Sequence, residues 1–493
     1  ILTLGRETYY IEERRQGKVE ITATGWDEIK DTIQVQCVLP ATAVKFKETM
    51  YVTSLKKDDA HDFYPEVTPV ETTDKILEWE SASPQICYVN DSGNLIKLKE
   101  GIAILRATVR GTELSDTIQI VITENLNESN ILKIKKDYVG NHIYALLEDG
   151  SIWTWGGENT SAKKIEFEGN VIAQDFMEGD ERYLYVLDNT GTLQRFRLNG
   201  KLDTTFSKLT GIKTLADTTP RSNTPSPEHE AYYAIAEDGS VWAWGKNRSY
   251  QLGDGTNKDR TEPVLVNVNE PIMKIAAYGY EALMLSNTGK VYRTGKTLST
   301  VAEEATDVYV EERQDSSRDC YAWIKTKNQL LRVSTRSSQV TSYLLDEKGD
   351  SYTKYIDYSY YIKDGQVFIK GSDYYGQLCK GDGAEDENGY YKMEGIKNAS
   401  KVYIDSENAF VMTSDGKLYG SGYGNYYRLA NMSTENSNIP VRIYFGLPNM
   451  NKKPLLEGWN HAASAEKGME EPSLDIRIDF DMAINISDNY GLI

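Results

Sequence analysis

Apolar and polar residues alternate along the chain in short runs that end at Gly, Asn, Asp or Pro. Alternation with a period of two places successive side chains on opposite faces, which is the pattern of a half-buried β-strand. Tyr, Val, Ile and Thr fill these runs, as they do in strands that pack on one face. Runs with the spacing of an amphipathic helix are almost absent. The pattern therefore predicts an all-β protein.

A first internal repeat lies near the start of the chain. Residues 17–38, GKVEITATGWDEIKDTIQVQCV, match residues 101–122, GIAILRATVRGTELSDTIQIVI, almost position for position. Each copy runs from Gly through an alternating strand and a Gly-containing turn to a second strand that begins with Asp-Thr-Ile-Gln. Residues 76–101, ahead of the second copy, supply a Trp-bearing strand, a Ser-Ala-Ser-Pro turn and a Gly-ended hairpin. These elements are what a small two-sheet sandwich needs.

This region resembles the group 2 bacterial immunoglobulin-like domains. The resemblance rests on Trp79, Ser81, Ser83-Pro84, Val89, Gly93, Gly101 and the strand Asp116-Thr117-Ile118. It implies one complete immunoglobulin-like β-sandwich over residues 39–125 and the C-terminal half of another over residues 1–38.

The end of the chain resembles another bacterial immunoglobulin-like domain. Residues 472–493 alternate apolar positions at Ile476, Ile478 and Phe480, as in the first strands of such a domain, and residues 451–471 read as a linker. Both ends are therefore expected to cut through domains of a longer protein.

A second repeat occupies residues 130–450. Its unit is an apolar strand, a tight turn and a second strand, and its seven copies are residues 145–157, 186–196, 234–247, 284–296, 323–333, 361–372 and 411–422. Asp-Gly and Thr-Gly between alternating strands are strong hairpin signals. Another strand precedes each hairpin, giving units of about four strands that bury their faces by stacking around an axis. The repeat predicts a seven-bladed β-propeller that follows the immunoglobulin-like modules.

The third and sixth copies carry a longer signature. Trp242-Ala-Trp244-Gly245-Lys-Asn247 is followed by Gln251-Leu252-Gly253-Asp254-Gly255, and Gly371 is followed by Tyr375-Gly376-Gln377-Leu378. This resembles the repeat of the regulator-of-chromosome-condensation family, which implies the propeller fold. The founding member's exchange activity on a small GTPase and its contact with chromatin are not carried over, because this chain lacks matching motifs and basic loops.

The charge narrows the range of partners. A formal net charge of −19 over 493 residues disfavours nucleic acid and anionic membrane surfaces. No apolar run reaches the length of about 18 residues that a membrane span needs. The four Cys residues are widely spaced, and none of the four His residues lies at metal-ligand spacing to another His or Cys. Free thiols and no zinc site are therefore expected.

No motif for chemistry is recognisable. The chain has no nucleophile elbow and no phosphate cradle, so the sequence predicts no enzyme, no cofactor and no metal site. The acidic loop 381–391 matches a calcium loop at Asp386, Asn388 and Gly389, but Ala384 stands at the first ligand position. Calcium binding at this loop is left open.

The most unusual feature is the density of tyrosine between residues 352 and 427. Tyrosine offers a large rigid face and a hydroxyl, which suits recognition of proteins and sugars. Adjacent strand residues face opposite ways, so at most one member of a strand doublet lies in the core. Two interpretations follow, packing between blades or a binding face. The candidate ligand-binding residues are Tyr360, Tyr361, Tyr374, Tyr375, Tyr390, Tyr391, Tyr426 and Tyr427.

These patterns predict a non-catalytic extracellular or bacterial cell-surface protein. Immunoglobulin-like spacers would present a propeller that binds a protein or glycan ligand on a host, a neighbouring cell or the cell's own wall. One alternative is a purely structural cell-wall or surface-layer component. Another is a non-catalytic part of a larger carbohydrate-active surface enzyme.

Overall fold

The computed structural model describes most of the chain between residues 40 and 447, together with short strands on either side. The described ranges are 2–4, 7–9, 17–24, 30–38, 40–48, 50–58, 63–72, 75–124, 126–127, 129–137, 141–179, 183–219, 231–278, 280–311, 321–327, 329–334, 340–344, 351–354, 358–381, 383, 385–386, 389–404, 407–431, 433–447 and 475–478. Side chains are described for these ranges except at 2–38, 217–219, 278, 311, 321, 330, 334, 340–344, 351–359 and 475–478. The predicted linker, residues 451–471, lies outside the described residues.

The described residues are strands and turns almost throughout, with one short 3-10 turn at Asn425–Tyr427. The all-β prediction is confirmed. The chain divides into two compact units, one comprising residues 1–124 and 452–493 and the other residues 125–451.

The first unit is built from short sheets. Its strands are β1 (Leu2–Leu4), β2 (Glu7–Tyr9), β3 (Gly17–Thr24), β4 (Lys30–Val38), β5 (Ala43–Lys45), β6 (Met50–Thr53), β7 (Glu66–Thr68), β8 (Leu77–Ser81), β9 (Cys87–Val89), β10 (Leu95–Lys97), β11 (Gly101–Val109) and β12 (Ser115–Ile122). A four-stranded sheet has the order β6-β12-β11-β8, and β1–β2, β5–β7 and β9–β10 form two-stranded sheets. The two matching sequence copies form the antiparallel pairs β3–β4 and β11–β12.

Alternation along β11 builds the core of this unit. Ala103, Leu105, Ala107 and Val109 are fully buried, while the residues between them are half-buried. Trp79 covers this core, with its ring 5.5 Å from that of Phe63 and 5.4 Å from that of Tyr64. The assignment of this unit to the immunoglobulin-like class stays a prediction.

The second unit is a succession of antiparallel sheets. Its strands are β13 (Ile131–Lys136), β14 (His142–Leu147), β15 (Ile152–Gly156), β16 (Asn159–Lys164), β17 (Ala173–Glu178), β18 (Tyr183–Asp188), β19 (Leu193–Arg197), β20 (Ile212–Thr219), β21 (Ala231–Ala236), β22 (Val241–Gly245), β23 (Arg260–Leu265), β24 (Ile272–Tyr278), β25 (Glu281–Ser286), β26 (Val291–Arg293), β27 (Ser299–Ala302), β28 (Ala305–Glu311), β29 (Tyr321–Thr326), β30 (Gln329–Ser334), β31 (Val340–Leu344), β32 (Ser351–Lys354), β33 (Tyr358–Lys363), β34 (Gln366–Gly371), β35 (Tyr391–Lys392), β36 (Ala399–Ile404), β37 (Asn408–Thr413), β38 (Leu418–Gly422) and β39 (Ser437–Ile443). The last described strand, β40 (Asp475–Ile478), belongs to the first unit, where it pairs with β4.

These strands group into seven blades among the described residues. Blade 1 is β13–β16, blade 2 β17–β19, blade 3 β20–β23, blade 4 β24–β27, blade 5 β28–β31, blade 6 β32–β35 and blade 7 β36–β39. In blade 2 the fourth edge is formed by two isolated bridges, Leu193 with Leu209 and Phe196 with Leu202. Blades 3 and 4 join into one eight-stranded sheet, because β20 and β24 pair in parallel at two positions.

Buried apolar clusters join neighbouring blades at six junctions among the described residues. One buried cluster joins blades 1 and 2 around Tyr144 and Phe176, and further clusters join blades 2 and 3, 3 and 4, 4 and 5, and 6 and 7. Most side chains that would lie between blades 5 and 6 are not among those that the structure describes. A last cluster joins blade 7 to blade 1. Packing of the last blade on the first is what the propeller prediction requires.

Polar contacts between first strands follow the same order. Lys133 of blade 1 forms an ion pair with Asp175 of blade 2 at 2.7 Å, and Lys274 of blade 4 pairs with Asp307 of blade 5 at 2.6 Å. Lys401 of blade 7 donates to the carbonyl of Leu132 in blade 1 at 3.4 Å. Polar contacts therefore link the first strands of neighbouring blades at these three junctions.

Trp155 lies at the centre of the junction between blades 7 and 1. It is fully buried, and its Nε1 donates a hydrogen bond of 2.8 Å to the carbonyl oxygen of Arg428. Its ring centroid lies 6.0 Å from each of Phe410 and Phe445, both in edge-on contact. The amide of Asn127 also donates to the carbonyl of Phe445 at 2.8 Å. Aromatic packing and two hydrogen bonds therefore join blade 7 to blade 1.

We expect Trp155→Phe to lower the free energy of unfolding by about 1–3 kcal/mol more than Trp244→Phe, because only the first leaves a buried carbonyl without its donor. Trp244 occupies the corresponding place in blade 3 and is equally buried, but its Nε1 has no hydrogen-bond partner among the described residues. Denaturant unfolding followed by circular dichroism measures the difference. Equal losses in the two variants would show that the hydrogen bond does not hold the junction.

Candidate functional site

One loop recurs between the third and fourth strands of blades 3, 6 and 7. In each case a strand ends at Gly245, Gly371 or Gly422, and six residues later the chain has Gln251, Gln377 or Arg428. The residue just before this position has a positive φ in all three loops, at Tyr250 (63°), Gly376 (80°) and Tyr427 (54°). The residue two positions after the glutamine or arginine also has a positive φ, at Gly253 (66°), Cys379 (46°) and Ala430 (50°). The three loops therefore share the backbone conformation at these two positions, and the blade 7 loop has a further positive φ at Tyr426 (58°).

In blades 3 and 6 the glutamine holds its own loop together. Gln251 Oε1 accepts the amide of Ser249 at 2.9 Å, and Gln377 Oε1 accepts the amide of Tyr375 at 3.0 Å. Both side chains are buried. The glutamine of this loop is therefore structural, because it satisfies a backbone donor inside the loop.

Blade 7 places an arginine at the same position. The Arg428 side chain is buried, and its guanidinium forms an ion pair with Glu407 at 2.7 Å. Lys136 of blade 1 shares the Glu407 carboxylate, also at 2.7 Å, and Arg428 Nη2 lies 3.4 Å from Asn141 Oδ1. The guanidinium carbon lies 4.8 Å from the centre of the Tyr423 ring and 5.9 Å from that of Tyr426. Arg428 thus joins the blade junction to two tyrosine rings.

Four tyrosine rings lie side by side along the same loops of blades 6 and 7. Tyr374 meets Tyr375 edge-on at 4.8 Å, and Tyr375 lies 4.6 Å from Tyr423 of the next blade. Tyr423 and Tyr426 both contact Arg428. Tyr374 is 83% exposed and Tyr426 is 51% exposed, while the two inner rings are half-buried. We call Tyr374, Tyr375, Tyr423 and Tyr426 the tyrosine patch.

The remaining candidate tyrosines lie elsewhere. Tyr360 is buried between blades 6 and 7, and its hydroxyl donates to the carbonyl of Val402 at 2.9 Å. Its buried position removes it from any binding surface. Tyr361 stacks on Phe368 at 4.8 Å and meets Tyr390 edge-on at 5.2 Å. These rings form a second aromatic group on the blade 6 sheet.

Two further candidates are only half-exposed. The Tyr391 hydroxyl donates to Glu385, which raises the pKa of Tyr391 above its ordinary value. Tyr427 is half-buried at the positive-φ position that precedes Arg428. Neither ring contacts the tyrosine patch in the described hydrogen bonds and ring pairs.

The tyrosine doublets of the sequence did not point to Tyr423 or Arg428. Tyr423 has no tyrosine neighbour in the sequence, and the Gln-Leu-Gly motif is replaced by Arg428-Leu429-Ala430. The signal that finds them is the spacing of six residues from Gly422, which repeats the spacing in blades 3 and 6.

A histidine is the first residue of β14 in blade 1, next to Asn141 of this junction. His142 Nδ1 is 3.0 Å from Asp137 Oδ2. The hydrogen bond to Asp137 raises the pKa of His142 above 6.5, against the opposing effect of burial. The pair therefore stabilises the folded protein more when His142 is protonated.

The described residues show no metal site, and their free cysteines are buried. No group of three or more His, Cys, Asp or Glu side chains in the described residues is arranged to hold a metal ion. Residues 382, 384, 387 and 388 of the acidic loop 381–391 lie outside the described residues. Cys87 and Cys379 are free and buried, and burial raises the pKa of each thiol to about 12. Within the described part of the chain, no helix is long and apolar enough to cross a lipid bilayer.

Residues 238–281, which contain the loop of blade 3, match the model of the regulator of chromosome condensation (RCC1) repeat. The chain carries an RCC1 repeat. Curated proteins similar to it include the ultraviolet-B receptor UVR8 of Arabidopsis thaliana, 27% identical over 235 residues, which are 46% of this chain and 47% of the receptor. Protein pim1 of Schizosaccharomyces pombe is 23% identical over 403 residues, 67% of this chain and 70% of that protein. This chain therefore spans about half the length of UVR8.

Solved structures were also compared. A crystal structure of yeast RCC1 (Prp20) bound to Kap60 resembles this chain with a TM-score of 0.37 at 17% identity, over 64% of this chain and 74% of that chain.

The comparisons correct one prediction. The expectation that the chain is not an enzyme is wrong, because proteins with enzymatic names share the RCC1-like region. The probable E3 ubiquitin-protein ligase HERC4 of Homo sapiens is 26% identical over 218 residues, which are 43% of this chain and 18% of the ligase. The absence of a catalytic motif does not exclude activity, and an enzymatic role is open.

We expect Arg428→Gln, which restores the residue type of blades 3 and 6, to lower the free energy of unfolding by about 1.5–3 kcal/mol, since hydrogen bonds to the buried guanidinium are lost. Lys380→Gln is the matched control, because Lys380 lies 3.8 Å from Asp373 and is well exposed. The control should change stability by less than about 0.5 kcal/mol. Similar effects of the two substitutions in denaturant unfolding would contradict a bridging role for Arg428.

The His142 pair predicts a dependence of stability on pH. Because the folded pKa of His142 lies above its unfolded value, the stabilisation is fully present below about pH 6.5 and is lost as pH rises through the folded pKa. Thermal unfolding should therefore show a decline in stability across that range for the wild type. His142→Gln should remove this part of the decline. Superimposable pH profiles of the two proteins would show that the pair does not contribute.

Proposed function

We propose that the propeller recognises a protein partner through the tyrosine patch. The observation that carries this proposal is a set of four neighbouring rings with exposed ends, at Tyr374 and Tyr426, and half-buried inner members. Tyrosine is enriched at binding hot spots because it offers a large apolar face and a hydroxyl while losing little conformational freedom. Rings already held by neighbours lose even less freedom on binding.

The position of the patch in the blades favours a binding role. The loops between first and second strands and those between third and fourth strands lie at the same edge of an antiparallel blade. The patch lies in loops of this kind in blades 6 and 7, where rigid sheets position variable loops for recognition. In blade 3 the same loop carries Arg248-Ser249-Tyr250, so tyrosine pairs are not a requirement of the loop's backbone path.

We infer further that the chain acts at a bacterial cell surface, with the first unit as a spacer that presents the propeller. Two observations support this setting. Residues 39–125 resemble group 2 bacterial immunoglobulin-like domains in sequence. The polysaccharide lyase 8 family protein HylA of Enterococcus faecalis is 43% identical to this chain over 63 residues, which are 12% of this chain and 5% of HylA.

The similarity to HylA also favours a second candidate function. The chain would then be one part of a larger carbohydrate-active surface enzyme, and the tyrosine patch would contact sugar rings. Tyrosine faces suit such stacking as well as protein recognition.

Arrays of extracellular proteins and of glycans, probed with the whole chain, test the proposal. We expect at least one protein to bind the wild type, and Tyr374→Ala/Tyr426→Ala to weaken that binding by about tenfold or more. Tyr88→Ala is the control, because Tyr88 is 38% exposed in the other unit; it should bind like the wild type.

Two results would contradict the proposal. Protein binding that survives the double substitution would place the site elsewhere. Tyrosine-dependent binding to glycans alone would reject a protein partner and support the carbohydrate-active candidate.

A further inference from the structure

We propose that the partner of the tyrosine patch is a basic protein segment, one that presents several Arg or Lys side chains. This inference rests on the proposed function of the patch as a protein-binding surface and specifies the chemistry of the partner. It is argued from the charge of the surrounding loops, the pairing of their cations and the exposure of the rings.

The loops on the patch side of blades 6, 7 and 1 are acidic. Their described residues are 137, 141, 157–158, 372–381, 383, 385–386, 389–390, 407, 423–431 and 433–436. Together these residues include seven Asp or Glu and two Lys or Arg, a net charge of −5. Such loops attract a basic segment and repel an acidic one at distances up to about 10 Å at moderate salt.

Both basic residues of these loops are already paired within the protein. Arg428 pairs with Glu407 at 2.7 Å, and Lys380 lies 3.8 Å from Asp373 with its ammonium 4.9 Å from the centre of the Tyr391 ring. Glu435, in the same loop as Tyr426, is exposed and forms no ion pair with a described residue. An incoming cation therefore meets open carboxylate, whereas an incoming anion would have to displace an internal pair.

The patch itself shows how a cation would be held. Arg428 lies over the faces of Tyr423 and Tyr426, an arrangement in which the ring quadrupole attracts the guanidinium. Tyr374, at the opposite end of the patch, is 83% exposed, and the only ring it contacts among the described residues is Tyr375. A guanidinium or ammonium of the partner can therefore lie over the exposed Tyr374 ring, as Arg428 lies over the rings of Tyr423 and Tyr426.

Three peptides of equal length and spacing test the inference with the whole chain: (Arg-Gly-Ser)4, (Gln-Gly-Ser)4 and (Glu-Gly-Ser)4. Fluorescence anisotropy at about 50 mM and about 300 mM NaCl measures their affinities, since exposed charges are screened over this range. We expect only the arginine peptide to bind, with lower affinity at the higher salt concentration.

Two pairs of variants locate the binding. Tyr374→Ala/Tyr426→Ala and Glu385→Gln/Glu435→Gln should each weaken binding of the arginine peptide by about fivefold or more. The matched controls are Tyr88→Ala and Glu113→Gln, which change exposed residues of the other unit and should leave the affinity unchanged.

The outcomes separate this inference from the proposed function. Tyrosine-dependent binding of the neutral or acidic peptide would overturn the basic partner while leaving the patch as a binding site. Arginine-peptide binding that responds to Glu113→Gln as strongly as to Glu385→Gln/Glu435→Gln would overturn it as well, because the attraction would then be that of the whole acidic chain. A patch that recognises nothing on the protein arrays would instead overturn the proposed function.

Discussion

The hydrogen bond from the Trp155 indole to the Arg428 carbonyl joins the first blade of the propeller to the last. A ring of sheets is stable only if the last member covers the face that the first leaves open, because a blade cannot bury both faces alone. Here Trp155 meets Phe410 and Phe445 edge-on in a buried cluster that covers this face. The polar backbone in that cluster is satisfied by the indole, so packing and hydrogen bonding act at one point.

The same point carries the candidate binding surface. Arg428 stands where blades 3 and 6 have a buried glutamine, and its loop places its carbonyl toward Trp155 and its guanidinium toward Glu407. Tyr423 and Tyr426 lie against that guanidinium, and Tyr375 of blade 6 lies against Tyr423. In blade 7 this loop therefore connects the junction with blade 1 to the exposed tyrosine rings.

Much of the fold could be predicted because hairpin turns have strict local chemistry. The Asp-Gly and Thr-Gly turns in six of the seven copies specify where antiparallel pairs form, whatever surrounds them. The site was harder to predict. Tyr360 and Tyr361 are neighbours on one strand, and only the position of blade 7 decides that Tyr360 is the buried one. Arg428 was missed because arginine replaces the glutamine of the Gln-Leu-Gly motif. The backbone of its loop nevertheless keeps the positive φ angles at Tyr427 and Ala430. The exclusion of enzymatic activity failed for a different reason, since a relative with a similar region, HERC4, is named a probable ubiquitin ligase, and a missing motif does not exclude activity.

We propose that protein partners bind the edge of blades 6, 7 and 1 that carries the tyrosine patch. Hydrogen exchange of the whole chain, with and without a partner from the protein arrays, measures where binding occurs. We expect slower exchange in residues 372–390 and 423–436 and unchanged exchange in the turns 148–151 and 414–417, which lie at the opposite edge of blades 1 and 7. Protection of those turns, with residues 372–390 and 423–436 unchanged, would contradict this proposal.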